Sequence, residues 1–186
     1  MADVGVRAAR AGDVDAVVRI QLLAWQEGYR ELIPEPALTE LTGPAATAVW
    51  KDRWADSVTA PPSPRHRVLV ALDGAEVVGF AAHAPAGDAD TDPATVTELL
   101  TLLVDPTHGR QGHGSRLLAA TVDHLREDAV STVVSWVFEG DTAIRALLEP
   151  TGWAPDGTRR TLDMGDAVQM IRLHTDISPQ SPGDPG

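Results

Sequence analysis

The chain contains no cysteine among its 186 residues. This absence excludes disulfides, thiolate metal sites and a cysteine nucleophile. No run approaches the ~18 consecutive apolar residues that a membrane-spanning helix needs, and the N-terminus lacks a basic-then-apolar signal pattern. These absences predict a cytoplasmic protein with no membrane partner.

Basic residues are also scarce, with 15 Lys and Arg against 27 Asp and Glu, which gives a formal net charge of −12 at pH 7. Nucleic-acid binding needs basic clusters that neutralise phosphates, so we expect no nucleic-acid partner. The charge weakly favours a cationic or neutral partner through long-range attraction. The histidines at 108, 113 and 124 form no convincing ligand set, so no metal is predicted.

The length fits one domain with a full core, and the hydrophobic content of 43% is ordinary for a globular protein. We expect a single domain over 1–175 and a disordered tail over 176–186, where Ser, Pro and Gly are frequent. Apolar alternation predicts strands at 4–8, 67–72, 76–83, 96–104, 132–138, 159–164 and 168–173. Helical periodicity predicts helices at about 13–28, 44–60, 115–128 and 141–148. The predicted order is β-α-α-β-β-β-α-β-α-β-β.

The most informative stretch is 95–118, which reads as a buried strand, a tight loop and the start of a helix. Glycines fall at 109, 112 and 114, and they let backbone N–H groups converge where the helix N-terminus adds partial positive charge. The pattern predicts a phosphate ligand. The glycine spacing is the reverse of the dinucleotide-binding fingerprint, and the lysine of the Walker loop is missing. Arg110 is the only cation in the loop, so backbone groups would carry most of the binding.

Residues 104–118 read Val-Asp-Pro-x-x-x-x-Gln-Gly-x-Gly-Ser-x-Leu-Leu. This motif resembles the acyl-CoA loop of the GNAT superfamily of N-acyltransferases. The resemblance implies acetyl-CoA as co-substrate, with its pyrophosphate held by backbone N–H groups of the loop. By position these belong to Gly109, Arg110, Gln111, Gly112, His113, Gly114 and Ser115. The family usually has Gln or Arg where Gly109 stands and Gly where Arg110 stands. We expect the cradle to survive this change, because N–H groups do not depend on side-chain identity.

The resemblance extends from Val4 to His174 and implies an α/β (α+β) fold, with a mixed, mostly antiparallel central sheet and flanking helices. In the family, backbone groups of the central strand hold pantetheine and polarise the thioester. By position we assign these to Leu102, Leu103 and Val104. A homodimer is an expectation from family habit alone.

The segment 24–34 resembles the first helix and following loop that border the acceptor pocket in many family members. We therefore expect Trp25 and Tyr29 to bind the acceptor. Tyr29 is the only tyrosine in the chain, and its alternative role is to seal the end of the helix.

Glu98 is the candidate general base, because it is a carboxylate in an otherwise apolar strand, where burial raises the pKa. Many family members have Glu at this position. The alternative is a Glu on the solvated face of the strand. His83, near the end of the third strand, could share the role, since the unperturbed pKa of histidine is about 6.5. Its alternative is a surface histidine.

The segment 141–153 resembles the family pattern Asn-x-x-Ala-x-x-Phe-Tyr-x-x-x-Gly-Phe, and two of its departures affect the chemistry. Asp141 replaces the Asn that often contacts the CoA arm, and the tyrosine that usually protonates the leaving thiolate falls on Leu148. Three outcomes stay open: another group or water is the acid, transfer proceeds without an acid, or catalysis is lost.

The sequence thus predicts an acetyl-CoA-dependent N-acetyltransferase that acts on a primary amine of a small molecule, peptide or protein. Two alternatives remain. The first is a regulatory module that binds acyl-CoA without turnover, and the second is an unrelated nucleotide-phosphate enzyme that uses the same kind of glycine loop.

Overall fold

The computed structural model describes residues 4–179 of the chain, which form strands and helices. The strands are β1 (Val4–Ala8), β2 (Arg67–Asp73), β3 (Glu76–Pro85), β4 (Val96–Val104), β5 (Thr132–Phe138), β6 (Ala154–Asp163) and β7 (Ala167–Asp176). The helices are α1 (Val14–Gly28), α2 (Glu35–Thr42), α3 (Pro44–Thr59), α4 (His113–Glu127) and α5 (Thr142–Leu148).

The strands form one seven-stranded sheet in the order β1-β2-β3-β4-β5-β7-β6. Neighbouring strands are antiparallel except β4 and β5, which are parallel. The predicted fold class is confirmed: the sheet is mixed and mostly antiparallel, and helices cover both of its faces.

Helix α4 covers one face of the sheet, and α1 with α3 covers the other. Leu117 and Leu125 of α4 are almost completely buried in the same cluster as Leu99 of β4. On the opposite face, Ile20 of α1 packs with Phe80 of β3. Burying each such side chain contributes roughly 1.5–3 kcal/mol, so these contacts fix the two helices against the central strands.

Helix α2 is an element that the sequence analysis does not predict, in the segment that follows Tyr29. The helix begins directly after Pro34 and carries Pro36 in its first turn, where a missing N–H costs nothing. Its one buried residue is Leu38, so the apolar periodicity is too short to stand out in the sequence.

Strands β6 and β7 are longer than predicted, since β6 begins at Ala154 and β7 ends at Asp176. The register of β6 shifts between Pro155 and Arg159, and this irregularity includes Gly157 in a left-handed conformation. Pro and Gly are typical of loops, so the sequence does not reveal that this segment is the bulged first part of a strand. The tail predicted over 176–186 lies mostly outside the described residues; of its first residues, Ile177 is buried.

Candidate active site

The central feature is a split in the sheet between β4 and β5. The two strands pair only over Val96–Glu98 and Thr132–Val134 and then separate. On its other side β4 has a bulge, because Thr101 pairs with Ala82 but Leu99 pairs with His83. The extra residue, Leu100, is 53% exposed, although it lies in the middle of a central strand. Bulges of this kind commonly occur beside active sites, where they redirect a strand.

The split opens into a cleft of about 900 Å³. Its walls come from β4, β5, the end of α1, the start of α4 and one side of α5. The predicted residues that line it are Tyr29, Leu102, Leu103, Val104, Arg110, Gly112, His113, Gly114, Ser115 and Asp141. The structure therefore brings most of the predicted donor-binding residues together around one cavity.

The glycine loop forms the mouth of the cleft. Gly112 caps α4 with a left-handed φ of 81°, and Arg116 Nη1 donates to the Gln111 carbonyl oxygen at 3.0 Å. A Cβ on Gly114 would lie 3.3 Å from Leu147 Cδ2. The loop is thus held with its backbone against the cavity, and a side chain at 114 would crowd its wall. This geometry fits a phosphate group beside the N-terminus of α4.

The changed motif positions behave differently from each other. Arg110 adopts a left-handed φ of 61°, whereas Gly109 has φ −62° and ψ 153°, an extended conformation open to other residues. The glycine that the family usually has at position 110 would adopt this conformation at less cost than arginine. Arginine at position 110 therefore holds a conformation that glycine adopts more easily, whereas the conformation at position 109 does not require glycine.

Gly112→Val is expected to weaken CoA binding. A left-handed conformation costs an L-residue about 1–2 kcal/mol, so relaxation of the loop would weaken binding by about 5–30-fold. Calorimetry with CoA measures this change. Gly74→Val is the matched control, because Gly74 also has a positive φ, of 59°, but lies in the turn between β2 and β3, away from the cleft. Equal CoA affinity in both variants and wild type would contradict the role of the loop.

His113 contributes its backbone to the loop and turns its side chain inward. The ring is 2% exposed, and neither ring nitrogen has a hydrogen-bond partner within the described residues. Burial lowers the pKa of His113, so the ring is neutral at pH 7. Its side chain therefore provides no positive charge for a phosphate.

Glu98 lies at the closed end of the split, on the strand face opposite α4. It pairs with Ala84 of β3 and Val134 of β5 and is half-buried. Burial and the nearby carboxylate of Asp88 raise the pKa of Glu98, while Arg160 and Arg172 oppose the increase. The raised pKa makes Glu98 a stronger base than an ordinary glutamate, which suits a group that accepts a proton during a reaction.

His83 lies on the other face of the sheet. It pairs with Leu99, whose side chain packs in the cluster under α4. The ring is 1% exposed and both nitrogens lack partners in the described chain. Burial, followed by the charge of Arg67, lowers the pKa of His83 to about 4. The structure therefore places His83 on the face of the sheet opposite Glu98, so the two side chains do not meet, contrary to the expectation that they could share a role.

Tyr29 and Trp25 have different positions relative to the cleft. Tyr29 lines it, with its ring edge-on to Phe138 at 5.0 Å between centroids. Trp25 stacks on Tyr29 at 6.0 Å and meets Trp50 edge-on at 5.2 Å, but it does not line the cavity. Burial and the charge of Asp141 raise the pKa of Tyr29, so the phenol stays protonated. Trp25 thus supports the wall that Tyr29 presents.

Asp141 has a structural role at the start of α5 as well as a place in the cleft wall. Its side chain accepts a hydrogen bond from the backbone N–H of Ile144 at 3.2 Å and caps the helix. Burial raises its pKa.

Leu148 is completely buried and does not line the cleft. It belongs to the same core cluster as Leu117 and Trp153. Leu147, one residue earlier, lines the cavity instead. The position of the usual thiolate acid therefore presents neither a proton donor nor an accessible side chain.

An arginine that the sequence analysis did not single out organises the far end of the site. Arg172 of β7 is almost completely buried and donates to Asp156 Oδ2 at 2.6 Å, Asp88 Oδ2 at 3.0 Å and Asp90 Oδ2 at 2.6 Å. Trp136 Nε1 also donates to Asp88 Oδ2 at 3.0 Å. These bonds fasten the loop between β3 and β4 to β5, β6 and β7. A charged residue inside the apolar run of β7 was the signal for this cluster.

The family model described as the acetyltransferase (GNAT) family matches residues 35–153, well over half of the chain. The chain therefore belongs to the GNAT family of acetyltransferases. This confirms the predicted family and class of enzyme.

Individual relatives agree with this assignment. The uncharacterized N-acetyltransferase YuaI of Bacillus subtilis is 28% identical over 142 residues, which cover 76% of this chain and 75% of YuaI. The PaiA N-acetyltransferase of Thermoplasma acidophilum, solved with coenzyme A, superposes with a TM-score of 0.76 at 12% identity over 94% of this chain and 99% of PaiA. YncA of Salmonella typhimurium, solved with acetyl-CoA, gives 0.67 at 17% identity over 98% of each chain. Each of these two solved structures shares its fold with this chain.

No helix within residues 4–179 is long and apolar enough to cross a bilayer. The same part of the chain has no group of three or more His, Asp or Glu side chains that could hold a metal ion.

Proposed function

We propose that the protein transfers the acetyl group of acetyl-CoA to a primary amine of a small molecule or of a peptide or protein. The observation that carries the proposal is the cleft between the separating strands β4 and β5, with the glycine loop at its mouth. Membership of an acetyltransferase family supports the reaction, and the relatives solved with coenzyme A and acetyl-CoA support the donor.

The donor would bind mainly through the backbone. N–H groups of residues 110–115 and the N-terminus of α4 would hold the pyrophosphate. The pantetheine arm would follow the open edge of β4 at Leu102, Leu103 and Val104, which line the cleft. A backbone N–H of β4 beside the bulge would polarise the thioester carbonyl.

Glu98 would act as the general base, directly or through water. It accepts a proton from the ammonium form of the acceptor, and the neutral nitrogen then attacks the thioester carbon. A C–N bond forms, the C–S bond breaks, and the electron pair leaves with the thiolate. With Leu148 buried, the thiolate leaves without an acid at the position where the family usually has its tyrosine. A thiol pKa of about 8.5 makes the thiolate a good leaving group, so water can supply its proton afterwards.

A second candidate function is acyl-CoA binding without turnover. The complete burial of Leu148 favours it, since the usual acid position is closed to the cleft. This candidate keeps the donor site and predicts no amine-dependent release of thiol.

Both candidates are tested by calorimetry with acetyl-CoA together with a free-thiol assay across a panel of amines. Tight binding with amine-dependent thiol release supports the transferase. Tight binding without release across the panel favours the binding module. Absence of acetyl-CoA binding would overturn both.

A further inference from the structure

Two arginines lie beside one tryptophan on the face of the sheet that carries Glu98. The guanidinium carbon of Arg160 lies 4.3 Å from the centroid of a Trp136 ring, and that of Arg172 lies 5.8 Å away. Trp136 and Met170 both line the cleft. Arg160 donates to Met170 Sδ at 3.4 Å. Its guanidinium therefore touches two side chains that form the cleft wall.

The two arginines differ in how their charge is neutralised. Arg172 is 6% exposed and already binds three carboxylates, so it has no capacity left for a ligand. Arg160 is exposed, and it forms no ion pair with a carboxylate anywhere in residues 4–179. Acidic residues outnumber basic ones by 27 to 15 in this chain, yet no carboxylate of the described residues lies within ion-pair distance of Arg160. Stacking on Trp136 instead holds the guanidinium in a fixed place.

The positive charge of Arg160 affects the pKa of Glu98, the proposed base. Arg160 and Arg172 act to lower the pKa of Glu98, against burial and the carboxylate of Asp88, which raise it. A position for an amine beside Glu98 and a position for an anion on Arg160 therefore lie on one face of the sheet.

We infer that the acceptor is an amino acid, a small amine that also carries a carboxylate, and that Arg160 binds this carboxylate. The inference rests on the proposed N-acetyl transfer and names its substrate class. A planar guanidinium presents paired N–H donors that match the two oxygens of a carboxylate. An amino acid is neutral overall, so the acidic chain would not repel it. Its amine would face Glu98 and the split, while the carboxylate would lie over Trp136.

The test compares free amino acids with the matching amines that lack the carboxylate and with the matching amino-acid amides. Wild type is expected to prefer the carboxylated amines. Arg160→Gln should reduce kcat/KM for these by about 10–100-fold, the loss expected for one charge-assisted hydrogen-bonded contact, and leave the other amines unchanged. Arg160→Lys should show a smaller loss than Arg160→Gln, since lysine keeps the positive charge but lacks the paired N–H donors of the guanidinium.

Arg159→Gln is the matched control. Arg159 is the preceding residue on β6, is exposed and pairs with Glu139 at 2.5 Å. It should change no amine's kcat/KM. Equal effects of Arg160→Gln on carboxylated and uncarboxylated amines would overturn the inference, as would a wild type that prefers the uncarboxylated amines.

A binding experiment separates failure of this inference from failure of the proposed reaction. Amino acids are titrated into the CoA-loaded protein and followed by calorimetry, which needs no turnover. Binding that weakens in Arg160→Gln but not in Arg159→Gln supports the carboxylate site even if no thiol is released. Absence of amino-acid binding to wild type, in a protein that acetylates other amines, would overturn the inference and leave the transferase intact.

Discussion

Glu98→Gln is expected to lower kcat/KM for amine acetylation by about 10²–10⁴-fold, the range typical for loss of a general base. Glutamine has the shape of glutamate but cannot take the proton from the ammonium. Binding of acetyl-CoA should stay within about twofold of wild type, since Glu98 does not line the donor cleft. Thiol release at saturating donor and calorimetry together measure the two quantities.

The raised pKa of Glu98 also predicts the direction in which activity changes with pH. Burial and Asp88 raise the pKa of Glu98, and the base works only when deprotonated. The kcat/KM of wild type should therefore rise with pH through a value above the usual ~4.3 of glutamate. Glu98→Gln should lose this part of the profile.

Glu98→Gln should not lower the stability of the protein, although it lowers the activity. A carboxyl group with a raised folded-state pKa destabilises the native protein above that pKa, so Glu98→Gln should be as stable as wild type at pH 7 or more stable. Glu76→Gln, at an exposed position on β3, is the control and should change neither activity nor stability. Unchanged turnover in Glu98→Gln would remove Glu98 from the mechanism.

Arg172→Met is expected to lower the free energy of unfolding by about 1–3 kcal/mol, because it leaves three clustered carboxylates, which water reaches in part, without their shared cation. For a chain of this size such a loss corresponds to a Tm lower by about 2–12 °C, measurable by calorimetric or optical melting. The loop between β3 and β4 should also detach from β7, so activity should fall with stability.

Double variants distinguish charge from packing in this cluster. Asp156→Asn or Asp88→Asn in the Arg172→Met background should restore part of the lost stability, because each removes one unpaired charge. Arg159→Gln, which breaks an exposed pair, should change stability by less than about 1 kcal/mol. If Arg172→Met were no more destabilising than Arg159→Gln, the cluster would have no structural role.

The cluster also gives stability a dependence on pH. Hydrogen bonding to Arg172 holds the pKa of Asp90 below its usual value. A lowered folded-state pKa contributes stability that is present above the unfolded value of about 3.9 and is lost as the pH falls through the folded one. The difference in Tm between wild type and Arg172→Met should therefore shrink below about pH 4.

The fold was predictable because most of its elements have clear periodicity. The bounds of β1, β4 and β5 agree with those expected from apolar runs. The family was recognisable from residues 104–118 because phosphate binding imposes glycines at fixed spacing, and the family match confirms it. Helix α2 and the first half of β6 were not predicted from the sequence. Each contains a proline, which usually ends a helix or strand but which the observed structure tolerates at these positions.

The site was only partly predictable, because faces and long-range partners are set by three-dimensional pairing. Strand β3 is buried on both faces, so its sequence cannot tell which face His83 occupies. Arg172 and its partner Asp88 are separated by 84 residues, and no local pattern links them. The role of Glu98 stays a prediction, although the structure places it at the end of the split.

The split between β4 and β5 gives two central strands the unpaired backbone groups that normally occur only at the edge of a sheet. Beyond Glu98 and Val134 the two strands no longer pair with each other, so N–H and C=O groups face a gap instead of a neighbouring strand. Such unpaired edges on an outer strand invite other chains to add to the sheet. Here the gap closes at one end and is walled by α4 and α5, which leaves room for a slender chain with its own amide groups. A ligand of that shape would repair the hydrogen-bond ladder, so filling the site and completing the sheet would be the same event.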